Sequence, residues 1–419
     1  VRHDELARTA DALRRGETPD GVEIVKRNPV RVVARIGGAA LKVFLRASRT
    51  PAREARALAR ADALGVPVPR LVGHGDGWIA TAWCDAGPAQ RDDLARILPV
   101  VAHMHARGML HRDLHLGNLL VGAEGPILLD VQRSAFLPWI PGWLARWELG
   151  YLAYSLGEPL PASLANARRW CERRAHTHWR SRTKRCCKES SGFTAFSHGG
   201  ASGFRRREAD PSALRAALDA AAGATPLKVG LSSQLVRHGA WILKEHASPR
   251  RARAAWIGGH GLEARGFATG RALAWAGRWL VMEDAGPTLI DWVDAQFARA
   301  ADDVRRQMVL ALADLLAALH RRGVYHADLK ANNIAWAPGA TPRLLDYGRV
   351  RFGRRVGWRR RVKNLAQLNA ALPDTVPCAL REVALERYLA TSGFCGDAAR
   401  LRRDVIALSL RRQHRWSGS

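Results

Sequence analysis

The stretch HRDLHLGNLL (residues 111–120) sets His111, Asp113, His115 and Asn118 close together. A second stretch, HADLKANNIAW (326–336), repeats His-x-Asp-Leu, again with an Asn five residues after the Asp. His111, Asp113 and His115 are all metal-ligand types, and strand-like alternation would aim them to one side. The second stretch, however, has Ala327 and Lys330 where the first has Arg112 and His115. A site that depended on His115 would be lost from it. Both stretches keep the Asp, the Asn and a further Asp, Asp130 or Asp346, which follows the Asn by 12 or 13 residues. Such oxygen ligands suit a hard cation such as Mg²⁺, which takes few protein carboxylates and keeps other positions for water and phosphate. Upstream of each stretch stands a lysine, Lys42 or Lys244, a point charge for phosphate oxygens. Asp, Asn, Asp, Lys and a cation are the parts needed for phosphoryl transfer, a chemistry of positioning and charge neutralisation. In that scheme Asp113 or Asp328 accepts or orients the proton of an attacking hydroxyl. Asn118 with Asp130, and Asn333 with Asp346, hold Mg²⁺. The lysine grips the α- and β-phosphates and is itself oriented by a helix glutamate.

The elements that must position these residues recur in order. KRNPVRVVARIGGAALK ends at Lys42 and KVGLSSQLVRHGAWILK at Lys244, and both are 17 residues long. DAGP follows at Asp85 and again at Asp284, then RGMLHRDL and RGVYHADL, then ILLDVQR and RLLDYGR. Such ordered self-similarity reads as a diverged duplication. The expected domains are residues 1–188, ending in the basic segment ARRWCERRAHTHWRSRTKRCCK, and residues 189–419. Between them the Ser/Gly-rich ESSGFTAFSHGGASGF reads as a loop or hairpin. In each half the strands come first. Residues 30–33 and 39–44 form one hairpin through Gly37-Gly38, and 235–238 and 241–245 form another through Gly239. Helices follow, at 51–64 and 92–105, the latter with Pro99 as a kink, and at 303–319, where Val304, Met308, Leu312, Leu315, Leu316 and Leu319 share a face. Strands followed by helices predict an α+β unit, present twice.

On these motifs the sequence resembles the protein-kinase-like superfamily. HRDLHLGN looks like its catalytic loop, ALKVF like its strand lysine, and LLDVQR and LLDYGR like its metal-binding segment. The resemblance implies two tandem bilobal domains, each a small antiparallel-sheet lobe with a helical lobe. It makes Asp113 and Asp328 catalytic, and Asn118, Asp130, Asn333 and Asp346 metal ligands. Lys42 and Lys244 would bind ATP phosphates, with Glu54 the partner of Lys42. Asp85 and Asp284, in DAGP, would fall at the hinge beside adenine. ATP and Mg²⁺ are the implied cofactors. Departures are clear: neither half has a Gly-x-Gly-x-x-Gly loop, Val131-Gln132 replaces Phe-Gly, RRARAAW offers no glutamate opposite PAREARA, and no Ala-Pro-Glu follows. These argue against a protein kinase. The second half is most similar to the bacterial lipopolysaccharide kinase family, in HADLKANNIAW, RLLDYGRVRF and RRRVKNLAQLNAALP. The implied activity is transfer of the ATP γ-phosphate to a Kdo or heptose hydroxyl of the lipopolysaccharide inner core, at the cytoplasmic face of the inner membrane.

Bulk composition bears on that reading. Of the 419 residues, 66 are Lys or Arg and 38 Asp or Glu, a net charge of +28 that fits an anionic partner. An anionic glycolipid or sugar is the expected substrate, with peripheral contact to the inner membrane and no nucleic acid. RFGRRVGWRRRVK (351–363) and the Trp-rich AFLPWIPGWLARW (135–147) follow the two metal-binding segments and are candidates for that contact. The bland readings are a solvated helix face for the first and packing under the helices for the second. The first twenty residues read as a polar, solvated helix rather than a secretory signal, and no apolar run is long enough to span a bilayer. Six sparse cysteines read as reduced thiols of a cytosolic protein. Two rival classes stand beside the lipopolysaccharide reading. One is an antibiotic-type small-molecule phosphotransferase, which the excess positive charge disfavours. The other is a pseudokinase scaffold on membrane or RNA.

Overall fold

Arg31, Val33 and Arg35 alternate with Val32, Ala34 and Ile36, and only the second set is buried. That period of two makes a half-buried strand and gives one sheet face to a core. The computed structural model describes residues 1–230 and 233–411. It has two compact units, Val1–Ala175 and His176–Ser419.

In the first unit α1 (His3–Arg15) ends at Gly16, whose left-handed backbone lets its N–H reach the Ala12 and Leu13 carbonyls. The polar composition suggested a solvated helix. Instead Leu6, Ala10 and Leu13, at helical spacing, pack with Val32, Ala34, Leu41 and Trp78 in one core cluster. Strands β1 (Val22–Arg27), β2 (Arg31–Ile36), β3 (Ala39–Phe44), β4 (Leu71–Gly75) and β5 (Trp78–Ala82) form an antiparallel sheet in the order β1-β2-β3-β5-β4. The β2–β3 register sets Ile36 opposite Ala39, so the hairpin turns on Gly37-Gly38 as expected. Helix α2 (Thr50–Ala63) lies between β3 and β4 in the chain, with Pro51 in its first turn, where its missing N–H costs nothing. After β5 come β6 (Gly87–Pro88), α3 (Leu94–Ala106), β7 (Met109–Leu110), β8 (Leu119–Gly122), β9 (Gly125–Leu128), β10 (Ala135–Phe136), α4 (Gly142–Leu156) and α5 (Arg168–Arg185). Helix α3 runs through Pro99 without ending. Its Ile97, Val101 and Met104 join Leu114, Leu119, Leu128 and Leu152 in a second cluster. The boundary between the units falls inside α5.

The second unit has a seven-stranded antiparallel sheet. Its strands are β11 (Phe193–His198), β12 (Ala201–Arg206), β13 (Lys228–Gly230), β14 (Ser233–His238), β15 (Trp241–His246), β16 (Ala272–Ala276) and β17 (Trp279–Glu283). Their order is β11-β12-β16-β17-β15-β14-β13. Read from β13, the first five positions repeat the connectivity of the first unit's sheet, and the Ser/Gly-rich hairpin β11–β12 is added at the β16 edge. Gly203 permits that addition, since a Cβ there would lie 1.8 Å from the Trp275 carbonyl oxygen. Helix α6 (Pro211–Ala221), capped by the Asp210 carboxylate, packs Leu214, Ala217 and Leu218 against this sheet.

Helix α7 (Pro249–Glu263) follows β15, and α8 (Leu289–Gln296) and α9 (Asp302–Arg321) follow β17. Short strands β18 (Val324–His326), β19 (Ile334–Ala335), β20 (Arg343–Leu344) and β21 (Val350–Phe352) come next, then α10 (Trp358–Ala371), α11 (Cys378–Thr391) and α12 (Ala398–Leu410). The apolar face foreseen on 303–319 is buried at Met308, Leu312, Leu315, Leu316 and Leu319, while Val304 is only partly covered. The end of the basic C-terminal tail, from residue 412, lies outside the described residues. Among the described residues no helix is long and apolar enough to cross a membrane.

Candidate active site

Lys42 sits mid-strand in β3, on the face opposite buried Leu41 and Val43. Its ammonium pairs with Glu54 Oε1 of α2 at 2.7 Å and with Asp130 Oδ1. Arg31, on the neighbouring strand, reaches Asp130 Oδ2 at 3.6 Å. Asp130 holds a left-handed backbone, φ 55°, unusual for a residue with a side chain. With its amide turned to satisfy both neighbours, Gln132 donates to the Asp130 carbonyl (3.3 Å) and to Glu54 Oε2 (3.2 Å). The residue that departs from Phe-Gly thus fastens Glu54 to the Asp130 turn.

The loop carrying Asp113 is tied to the same turn. His111 Nε2 donates to the Leu129 carbonyl at 2.7 Å, and the Leu129 N–H donates to the Asn118 carbonyl at 2.9 Å. Asn118 Nδ2 donates to the Asp113 backbone carbonyl at 3.0 Å, which leaves the amide oxygen without that duty. The Asp113 carboxylate has no hydrogen-bond or ion-pair partner among the described residues.

The second unit repeats this geometry with substitutions. Lys244 of β15 pairs with Asp346 Oδ1 at 3.0 Å, and Asp346 again holds a left-handed backbone, φ 45°. Asn333 Nδ2 donates to the Asp328 carbonyl at 2.7 Å, and the Leu345 N–H donates to the Asn333 carbonyl at 2.8 Å. No glutamate of α7 pairs with Lys244 among the described residues, in line with the missing acid in RRARAAW. Lys330 Nζ lies 3.2 Å from Asp328 Oδ1, placing a cation beside the candidate catalytic carboxylate. In the sequence Lys330 stands out only as a difference from His115. The helix behind the Asp346 turn is glycine-rich for a steric reason: a Cβ on Gly258 would lie 2.3 Å from the Tyr347 carbonyl oxygen.

Each DAGP segment follows the fifth core strand of its sheet, β5 or β17. Asp284 accepts from Arg237 at 2.8 Å and from the Gly286 N–H at 3.0 Å, so it shapes its own turn, whereas Asp85 is exposed. The donor set fits a hard cation that keeps most of its positions for water and phosphate. Each unit offers one carboxylate and one amide oxygen, and among the described residues no three or more His, Cys, Asp or Glu side chains are grouped so that they could hold a metal ion by themselves.

Electrostatics separates the acids. Burial pushes the Glu54 carboxyl above its ordinary range, and Lys42 offsets this only partly. Burial also works against ionised Asp130, but there Lys42 and Arg31 prevail and hold the carboxyl low. Asp346 is likewise held low, with Lys244 outweighing burial. Both candidate metal-ligand carboxylates are therefore anionic at neutral pH.

Buried histidines give the second unit a pH dependence. Burial lowers His246 to about 4 and His320 to about 3, and lowers His260 and His326 as well. A depressed folded-state value means that the unfolded chain binds protons first. Stability is then full above about pH 6.5 and is lost as pH falls toward the folded values. Between pH 6.5 and 5 the expected loss is about 2 kcal/mol for each histidine that stays neutral. Urea denaturation at the two pH values checks this, and equal midpoints for the second unit would contradict it.

Glu148 was not foreseen. It lies in α4, almost fully buried, where its carboxylate accepts the Arg112 N–H and the His105 Nε2–H (2.8 Å). It thereby anchors the residue just before Asp113, and Arg112 itself has φ 64°. In the second unit α10 does the same work with opposite polarity. Asn364 Nδ2 donates to the His326 carbonyl at 2.6 Å, Gln367 Nε2 donates to the Ala327 carbonyl at 2.9 Å, and His320 Nε2 faces Asn364 Oδ1 at 3.3 Å. The available signal is RWELGYLAYSL standing in line with VKNLAQLNAAL (362–372), which sets Glu148 opposite Asn364. Glu148→Ala is expected to cost the first unit about 2–4 kcal/mol, because it strands two buried donors. Glu148→Gln, which can still accept from Arg112, is expected to restore most of that in thermal melts.

Residues 273–383 match the family model of the Lipopolysaccharide kinase (Kdo/WaaP) family. Among solved structures 818 chains match. One of them is a choline/ethanolamine kinase family protein from Mesorhizobium loti, 16% identical, covering 39% of this chain and 74% of that one with a TM-score of 0.31. No curated protein matches the sequence.

Proposed function

We propose that this chain, whose residues 273–383 match the family model of the Lipopolysaccharide kinase (Kdo/WaaP) family, is a kinase that transfers the γ-phosphate of Mg-ATP to a sugar hydroxyl of the lipopolysaccharide inner core, Kdo or heptose, at the cytoplasmic membrane face. We also propose that its two units are diverged copies of one bilobal, protein-kinase-like module. The shared strand order, the paired lysines and the two left-handed aspartates support the duplication.

The observation that carries the chemistry is the lysine–aspartate pair formed in both units, Lys42 with Asp130 and Lys244 with Asp346. A lysine held beside an anionic carboxylate is poised to bind phosphate, with the carboxylate left to the cation. Asn118 and Asp130 would hold Mg²⁺ in the first unit, and Asn333 and Asp346 in the second. When bound, the cation neutralises charge on the β- and γ-phosphates. Asp113 or Asp328 takes the proton of the attacking sugar hydroxyl, and the backbone anchors at Glu148 or Asn364 keep that carboxylate in place. Lys330 adds a positive charge beside Asp328, where the transferred group would pass. DAGP, with Asp85 or Asp284, lines the approach to the adenine. The sugar acceptor rests on the family segment and on the net charge of +28.

The test is ATP consumption with Mg²⁺ against Kdo-lipid A, heptosylated core, small sugars and aminoglycosides. Turnover is expected with the first two. Turnover with aminoglycosides alone would favour the antibiotic-type reading. A calorimetric titration showing no Mg-ATP binding by either unit would remove the enzyme reading of these sites.

A further inference from the structure

Of the described tryptophans only Trp139 and Trp143 are exposed, 69% and 55%, and Leu137 beside them is 40% exposed. All three lie on one short segment of the first unit, between β10 and the first turn of α4. A monomer seldom leaves two indoles and a leucine in water so close together.

The segment is held stiffly. Ala135 and Phe136 pair with Leu110 and Met109, and the Leu137 N–H donates to the Gly108 carbonyl at 2.8 Å. The Arg60 guanidinium covers the Phe136 ring at 4.6 Å. At the far end the Leu144 and Ala145 N–H groups both reach the Pro141 carbonyl. Pro138 and Pro141 have no N–H at all. The tip therefore exposes few backbone donors that would have to be stripped of water on burial. The indole N–H groups can stay at headgroup level while their rings go deeper.

Charge selects the partner. No Asp or Glu occurs between Asp130 and Glu148, and Arg107, Arg133 and Arg146 on or beside the segment are exposed. The Arg146 guanidinium folds back toward Gly142, next to Trp143. A rigid apolar tip whose own segment carries only positive charge complements an anionic lipid surface and would be repelled by a basic one. We propose that residues 137–143 dock the first unit onto a bilayer bearing anionic phospholipid. The tip grows from β10, which pairs with the strand leading into His111 and Asp113, so docking would bring the candidate site to a substrate carried in the membrane. This deepens the reading above and rests on it for its purpose.

The experiment is co-sedimentation of the full chain with vesicles of phosphatidylethanolamine and phosphatidylglycerol, and separately of phosphatidylcholine alone. Binding is expected only to the anionic vesicles. Trp139→Ser with Trp143→Ser is expected to weaken it about tenfold or more, with Mg-ATP binding unchanged. A triple Arg359→Ser, Arg360→Ser, Arg361→Ser variant serves as comparator. If it loses vesicle binding while the tryptophan variant keeps it, the proposal fails. In the unaltered protein, lipids brominated along the acyl chain are expected to quench tryptophan fluorescence, which tests the tip without relying on any variant's folding. Absence of quenching, or equal binding to phosphatidylcholine, would also overturn it. Lost docking with Mg-ATP turnover intact sinks this inference alone, whereas lost Mg-ATP binding sinks the functional reading before it.

Discussion

Asp113→Ala combined with Asp328→Ala is expected to lower phosphoryl transfer by about 10²–10⁴-fold while leaving both units folded. The magnitude follows from the role. A positioned carboxylate that takes the proton of the attacking hydroxyl contributes in that range, and alanine leaves only water. Folding should survive for two different reasons. The Asp113 carboxylate has no protein partner among the described residues, so its removal strands nothing. The Asp328 carboxylate has two, Lys330 and the Asn333 amide at 3.4 Å, but Lys330 is about half exposed, an ion pair of that kind is worth about 1 kcal/mol or less, and the Asn333 amide keeps its shorter bond to the Asp328 backbone carbonyl. Mg-ATP affinity should hardly move, because the Lys42–Asp130 and Lys244–Asp346 pairs are left intact. Steady-state rates on the preferred acceptor, set beside circular-dichroism melts, separate these effects. Full activity in the double variant would refute the assignment. The single variants then divide the work between the units. The first keeps the lysine–glutamate–aspartate set, while the second carries the family segment and Lys330.

The first unit's acids and the second unit's histidines give the halves different characters. Glu54 and Asp130 share one ammonium, and the shifts show which gains more: Asp130 is held low while Glu54 still sits high. With no glutamate of α7 paired to it among the described residues, Lys244 is left to Asp346. On the proposed role, phosphate oxygens arriving at Lys42 would compete with two carboxylates, and at Lys244 with one. The family resemblance treats both lysines alike, but the geometry sets them apart: one ammonium faces two carboxylates and the other faces one.

The lysine–aspartate–asparagine frame was legible because each piece is local. Asn lies five residues beyond Asp whichever way the chain packs, and an αL aspartate after a short strand fits the same turn in both units. Hairpins through Gly37-Gly38 and Gly239 were legible for the same reason, since turn chemistry acts over a few residues. What escaped was decided across distance. Glu148 meets Arg112 from 36 residues away, and nothing in an α4 pattern says that its one acid points inward. Arg31 reads as the solvated side of an alternating strand until the Asp130 turn arrives beside it. The burial of α1 was missed because Leu6, Ala10 and Leu13 are few among many charges. Sparse apolar positions at the right spacing still make a stripe when a sheet face is waiting for it. The β11–β12 hairpin was recognisable as a hairpin, but its annexation to the β16 edge depends on the missing Cβ of Gly203, which only the partner strand explains.

Lys42→Met should damage the first unit more than Lys244→Met damages the second. Removing Lys42 leaves Glu54, 5% exposed in its side chain, and Asp130, 21% exposed, facing one another with only Arg31 for compensation. Breaking a buried pair in this way costs about 3–5 kcal/mol, since charges stay behind without a partner. Lys244→Met leaves a single carboxylate, Asp346, and a cost nearer 1–3 kcal/mol, that of one unsatisfied buried group. Nucleotide binding should disappear at whichever unit is altered. The sign of the pH effect follows from Glu54. Its folded-state value is already raised, and loss of Lys42 raises it further. A raised value means stability that is present at low pH and is lost as pH rises through the folded value. The Lys42→Met deficit should therefore be larger at pH 8 than at pH 5, and adding Glu54→Gln should recover part of it at pH 8. Hydrogen exchange resolved to peptides of each unit reads the two effects separately. If Lys42→Met proves no more costly than Lys244→Met, or if its deficit ignores pH, then Glu54 is not buried against the lysine as the structure has it.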